Sequence, residues 1–125
     1  MRITELFQIE HPLIQAPMAG VQDSALAIAV SNAGALGSLP CAMLSAEHMQ
    51  TQLAALQAGT AQPYNVNFFC HVPPQADPAR EARWHQALAP YYREWGLDAT
   101  KMPSGPGRVP FNHESADVLE TFRPA

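Results

Sequence analysis

Short apolar runs alternate with helical stretches through the first half of the chain. Residues 12–16, Pro-Leu-Ile-Gln-Ala, form a run too brief for a helix and predict a short buried strand. Asp23 or Ser24 caps a helix reaching Ala33, with Leu26, Ile28 and Val30 set among alanines and Gly34 as a left-handed stop. Residues 35–39, Ala-Leu-Gly-Ser-Leu, follow at once as a second strand. Ser45 caps the next helix, about 46–58, whose Met49, Leu53 and Leu56 fall at i, i+4 and i+7 before Gly59 ends it. Residues 64–69, Tyr-Asn-Val-Asn-Phe-Phe, supply a third strand of high strand propensity. The order β-α-β-α-β with brief connections predicts parallel strands joined by right-handed crossovers. Periodicity alone does not choose between a doubly wound sheet and a barrel.

Beyond Phe69 the pattern changes. A proline-rich stretch leads to a helix over 77–95, capped by Asp77 with Pro78 at its first position and carrying Trp84, Leu88, Tyr91, Tyr92 and Trp95. That aromatic face is expected to pack. Residues 101–111 read as a Gly/Pro loop, and Asn112 caps a short final helix. An excursion of this length suits an insertion on an active-site face better than a plain crossover.

Composition narrows the partners. The 125 residues are 47% hydrophobic and only 14% charged, with net charge −4. The seven Lys and Arg are scattered, so no basic stripe exists to neutralise phosphates, and neither nucleic acid nor an anionic membrane is the expected partner. No run approaches the roughly 18 apolar residues of a membrane span, and Arg2, Glu5 and Glu10 interrupt any signal-peptide core. The expected compartment is the cytoplasm, with Cys41 and Cys70 reduced. The five histidines are spread too widely for a metal site, and no Cys/His spacing matches zinc. Phosphate-loop and dinucleotide fingerprints are both missing.

One stretch stands out. Between Glu10 and Asp23 there is no acidic or cationic side chain, and Ala16-Pro17-Met18-Ala19-Gly20 follows the first strand directly. Small side chains, a fixed proline φ and a glycine suit either a tight βα turn packed on a helix or a flat ligand lying against the backbone. In the third strand Asn65 and Asn67 share one face, by the two-residue period. A carboxamide both donates and accepts, which suits the mixed polar edge of a heterocycle as well as a strand-end turn. Gln15 either contacts such a ligand or satisfies strand ends. His71, just past the third strand, is a candidate for a substrate pocket or a plain loop histidine.

The segments His-Pro-Leu-Ile-Gln-Ala-Pro-Met-Ala-Gly-Val (11–21), Ala-Val-Ser-Asn-Ala-Gly-Ala-Leu-Gly-Ser-Leu (29–39) and Pro-Tyr-Asn-Val-Asn-Phe-Phe-Cys-His (63–71) closely resemble the N-terminal region of bacterial nitronate monooxygenases. Residues 75–84 are similar to the segment that follows in one branch of that family. The resemblance implies an α/β fold, the N-terminal part of a (β/α)8 TIM barrel, binding FMN non-covalently. It implies oxidation of alkyl nitronates such as propionate 3-nitronate by O2, giving a carbonyl compound and nitrite. Carried over residue by residue, it places Ala16, Pro17, Met18 and Gly20 beside the isoalloxazine and Asn67 in hydrogen-bond contact with it. Met18 would offer the ring a soft, polarizable surface.

The resemblance also implies what is missing. The family's catalytic histidine and FMN phosphate site have no counterpart among these residues, and an eight-unit barrel takes roughly 200 residues or more. Residues 1–70 therefore read as the first three βα units, and 71–125 as a helical and loop insertion with the truncated start of the next unit. The chain is expected to be a fragment, or a piece completed by another chain, inactive alone and prone to associate through uncovered strand edges. Related FMN barrels that reduce quinones with NADH, or enoyl thioesters, share similar starts and remain alternatives. So does a non-catalytic remnant.

Overall fold

A computed structural model describes residues 1–98, 101 and 109–124. The chain divides into two compact units, Met1–His71 with Arg108–Ala125, and Val72–Gly107. The first contains α1 (Ile3–Phe7), α2 (Ser24–Asn32), β1 (Gly37–Pro40), α3 (Ala46–Gly59), β2 (Tyr64–Asn67) and α5 (His113–Phe122). The second contains α4 (Pro78–Glu94).

Helix ends fall where capping chemistry puts them. The side chains of Asp23, Ser45 and Asn112 accept hydrogen bonds from the backbone N–H groups of Ala25, His48 and Ser115, each satisfying a donor the first turn leaves free. After α2, Gly34 takes φ +86°, and its carbonyl receives the N–H groups of Glu10 and His11, both at 2.9 Å. That left-handed residue turns the chain straight into β1.

β1 and β2 pair in parallel, Gly37 with Tyr64 through Pro40 with Asn67, with α3 as the crossover. The expected first strand is reduced to a single parallel bridge, Ile14 with Leu36, flanked by Gln15 N–H to Leu36 O (2.9 Å) and Leu36 N–H to Leu13 O (3.0 Å). Pro12 and Pro17 have no N–H for a ladder, and Leu13 and Ile14 remain half exposed, so pairing does not extend. The other strands are also shorter than their apolar runs: 37–40 rather than 35–39, and 64–67 rather than 64–69.

Alternation divides the two strands between faces. Leu39, Cys41, Tyr64, Val66 and Phe68 join the core with Ala27 of α2, Met49, Leu53 and Leu56 of α3, and Val118 of α5. Leu39, Leu53 and Leu56 are fully buried, each worth about 1.5–3 kcal/mol of hydrophobic stabilisation. The C-terminal helix, grouped by sequence with the segment after residue 70, thus packs in the first unit against α3, where Gln57 Nε2 also donates to Phe122 O at 2.8 Å. Ser38, Pro40, Asn65 and Asn67 point to the opposite face.

In the second unit Asp77 caps α4 by accepting from the Arg80 N–H at 2.9 Å, with Pro78 in the first turn as expected. The aromatic residues do not form the packed face that the sequence predicts. α4 buries no residue, and Trp84, Tyr91 and Trp95 are exposed. The 101–111 loop lies mostly outside the described residues. No described helix is long and apolar enough to cross a membrane.

Candidate functional site

The face away from the core carries the polar groups. Ser38 is wholly buried there, and three side chains converge on it. Gln15 Oε1 accepts from Ser38 N–H at 3.1 Å, while Gln15 Nε2 and Gln22 Nε2 donate to Ser38 O at 3.2 and 2.8 Å. Asn65 Nδ2 donates to Ser38 Oγ at 3.2 Å. Gln22 Oε1 accepts from Gln15 Nε2 at 2.7 Å and from Met18 N–H at 3.1 Å. Every group in this set has a partner, which is what a buried polar network requires.

Met18 begins the turn that ends the first extended segment. Val21 N–H donates to Met18 O at 3.3 Å, and Gly20 takes φ +82°, a conformation that disfavours any residue with a Cβ. A Cβ on Gly20 would meet nothing within 4 Å, so this glycine serves backbone conformation and not close packing. Met18 is 43% exposed. Ala16 and Pro17 lie between it and Gln15, whose bonds tie the segment to β1.

Asn67 ends β2, opposite Pro40, one same-face step beyond the Ser38–Asn65 pair. It is half-buried, and its carboxamide makes no hydrogen bond to any described residue, whereas that of Asn65 is engaged by Ser38. The two asparagines therefore differ: one is used by the fold and one is free. No hydrogen bond among the described residues joins Asn67 to Met18; what they share is the C-terminal end of a parallel array. His71 is exposed, its ring edge-on to Phe69 at 5.9 Å.

On the core side, Cys41 N–H donates to Asn67 O at 2.9 Å. Burial pushes the Cys41 thiol up from 9.0 to about 11, against an opposing backbone hydrogen bond from Asn67. Burial also raises Tyr64 above 10.0, with a smaller contribution from the Cys41 charge. Both cysteines are free thiols, Cys41 buried and Cys70 exposed. A hollow of about 440 Å³ in the first unit, lined by Gln8, Gln57, Gln62, Tyr64, Phe122 and Arg123, lies at the opposite, N-terminal end of β2. A smaller hollow of about 180 Å³, lined by Cys41, Ala42, Met49, Phe68 and Pro110, lies just past the C-terminal ends of β1 and β2. Among the described residues no three His, Cys, Asp or Glu side chains gather as a metal site.

The family profile described as nitronate monooxygenase matches residues 1–98. The chain belongs to the nitronate monooxygenase family. It is 48% identical over 97 residues to the nitronate monooxygenase of Pseudomonas aeruginosa, covering 78% of this chain and 28% of that protein. It is 47% identical over 91 residues to the nitronate monooxygenase of Paraburkholderia phytofirmans, covering 73% and 25%. The chain thus spans about a quarter of the length of these relatives. Among solved structures it is similar to nitroalkane oxidase from Streptomyces ansochromogenes, with TM-score 0.66 and 28% identity over 98% of this chain and 32% of that one. FabK from Thermotoga maritima aligns with TM-score 0.54 and 28% identity, over 77% and 28%.

Sequence reasoning placed Met18 and Asn67 on one end of the strands but did not find Gln22 or Ser38. The only signal for either was polarity inside an otherwise apolar stretch. Gln15, left between ligand contact and strand-end satisfaction, makes the second kind of contact.

Proposed function

We propose that this chain carries the first βα units of a (β/α)8 barrel that binds FMN and oxidises alkyl nitronates, of the propionate 3-nitronate type, with O2. The observation that carries the reading is the half-buried carboxamide of Asn67, unbonded to any described residue, at the same strand end as the Met18 turn, in a chain of this family. The residues present fit the cofactor. An unused donor–acceptor pair suits a flavin's polar edge, and small residues with an exposed thioether suit its flat face.

In this reading Asn67 orients the ring edge by hydrogen bonding, and Met18 lies against the ring. Ala16 and Gly20 keep side-chain bulk out of the way, and Pro17 fixes the chain direction beside it. His71 borders the substrate side. When bound, FMN supplies the redox chemistry by which a nitronate and O2 give a carbonyl compound and nitrite. A nitronate is already an anion, so these units need no base to generate it. Their part is placement of the cofactor and exclusion of bulk. The remaining units of the barrel would bring the phosphate site and the acid–base group. The compartment proposed is the cytoplasm, in keeping with two free thiols.

The test has two parts. Titrating the 125-residue chain with FMN, followed by flavin fluorescence, asks whether these units contribute affinity of their own. Nitrite release from propionate 3-nitronate under air, measured beside NADH oxidation in a full-length protein bearing these residues, asks for the reaction. NADH oxidation without nitrite would replace the proposal with a reductase.

A further inference from the structure

The turn that carries Met18 has little to hold it. Its own closing bond, Val21 N–H to Met18 O, is long at 3.3 Å, Val21 is 79% exposed, and nothing approaches Gly20. None of residues 18–21 belongs to the described core cluster. Among the described residues, Gln22 is the side chain that hydrogen-bonds to this turn and to β1 together, and it is engaged at both ends. Oε1 accepts from the Met18 N–H and from Gln15 Nε2; Nε2 donates to the carbonyl of buried Ser38.

These partners fix the orientation of the carboxamide. Met18 N–H can only donate and Ser38 O can only accept, so rotating the amide by half a turn would break both bonds. Gln15 adds a second tie to the same strand residue, through Ser38 N–H. Few other side chains could do this. A carboxylate would accept from Met18 but oppose the Ser38 carbonyl, a cation would reverse that failure, and serine falls short of the span.

We infer that Gln22 is the positioning residue of this site: it splints the Met18 turn to β1, so that the height and angle of Met18 are set by Ser38 and not by the exposed turn. Its effect on the flavin rests on the proposed function above. Its effect on the turn does not.

Amide hydrogen exchange on the whole chain, read by NMR residue by residue, separates these. With Gln22→Ala the Met18 amide loses its acceptor and should exchange about fivefold faster or more, the loss expected for one net hydrogen bond. The amides of Leu53 and Leu56 should keep their rates. Gln22→Glu should restore Met18 protection only in part, because the acceptor oxygen returns while the donor to the Ser38 carbonyl does not, and Gln22→Met, of similar length without either function, should restore none. Should Met18 exchange equally in parent and Gln22→Ala, or should β1, α2 and α3 accelerate together with it, the splint is refuted. FMN titration of the same proteins gives the second readout. A parent that binds FMN, with Gln22→Ala weakened about threefold or more and its visible band altered, extends the splint to the cofactor. A parent that shows the Met18 exchange pattern but binds no FMN would leave the positioning role standing and show that these units do not hold the cofactor without those that bring its phosphate site.

Discussion

Gly37 opens β1 against α2, where a methyl group would have no room. Its Cβ would overlap the carbonyl oxygen of Ala27, a wholly buried residue, and come within 2.6 Å of Ser31 Oγ. Neither neighbour can give way cheaply. The carbonyl belongs to helix backbone, and Ser31 Oγ is held by donating to Pro63 O at 2.9 Å and accepting from the Gly37 N–H at 3.2 Å. Gly37→Ala therefore has to push α2 off the strand. Overpacking of this kind costs about 1–3 kcal/mol. Losing both Ser31 bonds adds about 1 kcal/mol each. A less flexible unfolded chain returns about 0.4–1 kcal/mol. The net destabilisation is about 2–4 kcal/mol, a large share of the 5–15 kcal/mol typical of a whole domain.

For a unit of this size that lowers the melting temperature by at least about 8 °C. Thermal melts followed by circular dichroism, with urea titrations to confirm an unchanged slope, measure it. Gly59→Ala is the matched control. Its Cβ would also meet an atom at 2.6 Å, but that atom is Cδ1 of Ile28, the free end of a flexible side chain. Helix propensity then favours alanine by up to about 1 kcal/mol, and stability should change little. Should Gly37→Ala melt within about 3 °C of the parent, or Gly59→Ala lose as much, stiffness of the neighbour is not what decides the cost.

Three other outcomes follow from the same geometry. Asn67→Ala should weaken FMN binding by about 1–3 kcal/mol in a flavin-binding full-length protein, since a buried polar edge loses its partner; unchanged affinity in a fluorescence titration would remove Asn67 from the site. Met18→Ala should alter the flavin's visible spectrum or turnover more than its affinity, because a packed thioether shapes the ring's surface without holding it; a larger affinity loss than that of Asn67→Ala would reverse the two roles. With thiol reagents at neutral pH, Cys70 should label in the native chain and Cys41 only after denaturation. Because the folded Cys41 thiol titrates at about 11 against 9.0, its contribution to stability is complete below pH 9 and is lost as pH rises from 9 toward 11, a fall that alkaline urea titrations would reveal.

The parts legible in the sequence were those governed by neighbours along the chain. Ser45, Asp77 and Asn112 cap the helices they were expected to cap, and of the two candidates Asp23 and Ser24 it is Asp23 that caps α2, because a cap needs only a short polar side chain and the next few N–H groups. Met49, Leu53 and Leu56 form the buried stripe that their spacing required. What escaped depends on distant partners. Gln22 meets Ser38 across 16 positions and Gln15 across 23, and no local pattern marks an amide that will find a strand carbonyl. The first strand failed for a related reason. Its apolar run read as buried, yet only one bridge forms where prolines flank it and Leu13 and Ile14 stay half exposed. The aromatic residues of α4 show the opposite error: side-chain type predicted burial that nothing in their own unit supplies. Gly37 looked like an ordinary strand glycine until α2 was laid beside it.

The excursion after β2 leaves and returns through adjoining residues. Phe111 N–H donates to Phe69 O at 2.8 Å, and the rings of Phe68 and Phe111 meet edge to face at 5.0 Å. Both ends of the excursion are thus tied to each other within the first unit. Its length is then a weak thermodynamic variable, since doubling a flexible loop adds only about 0.6 kcal/mol of closure entropy. The α5 helix packs on α3 from the far side of this Phe69–Phe111 clasp, within the same unit. A change in the length of the excursion is therefore expected to leave the parallel strands and the core of the first unit in place.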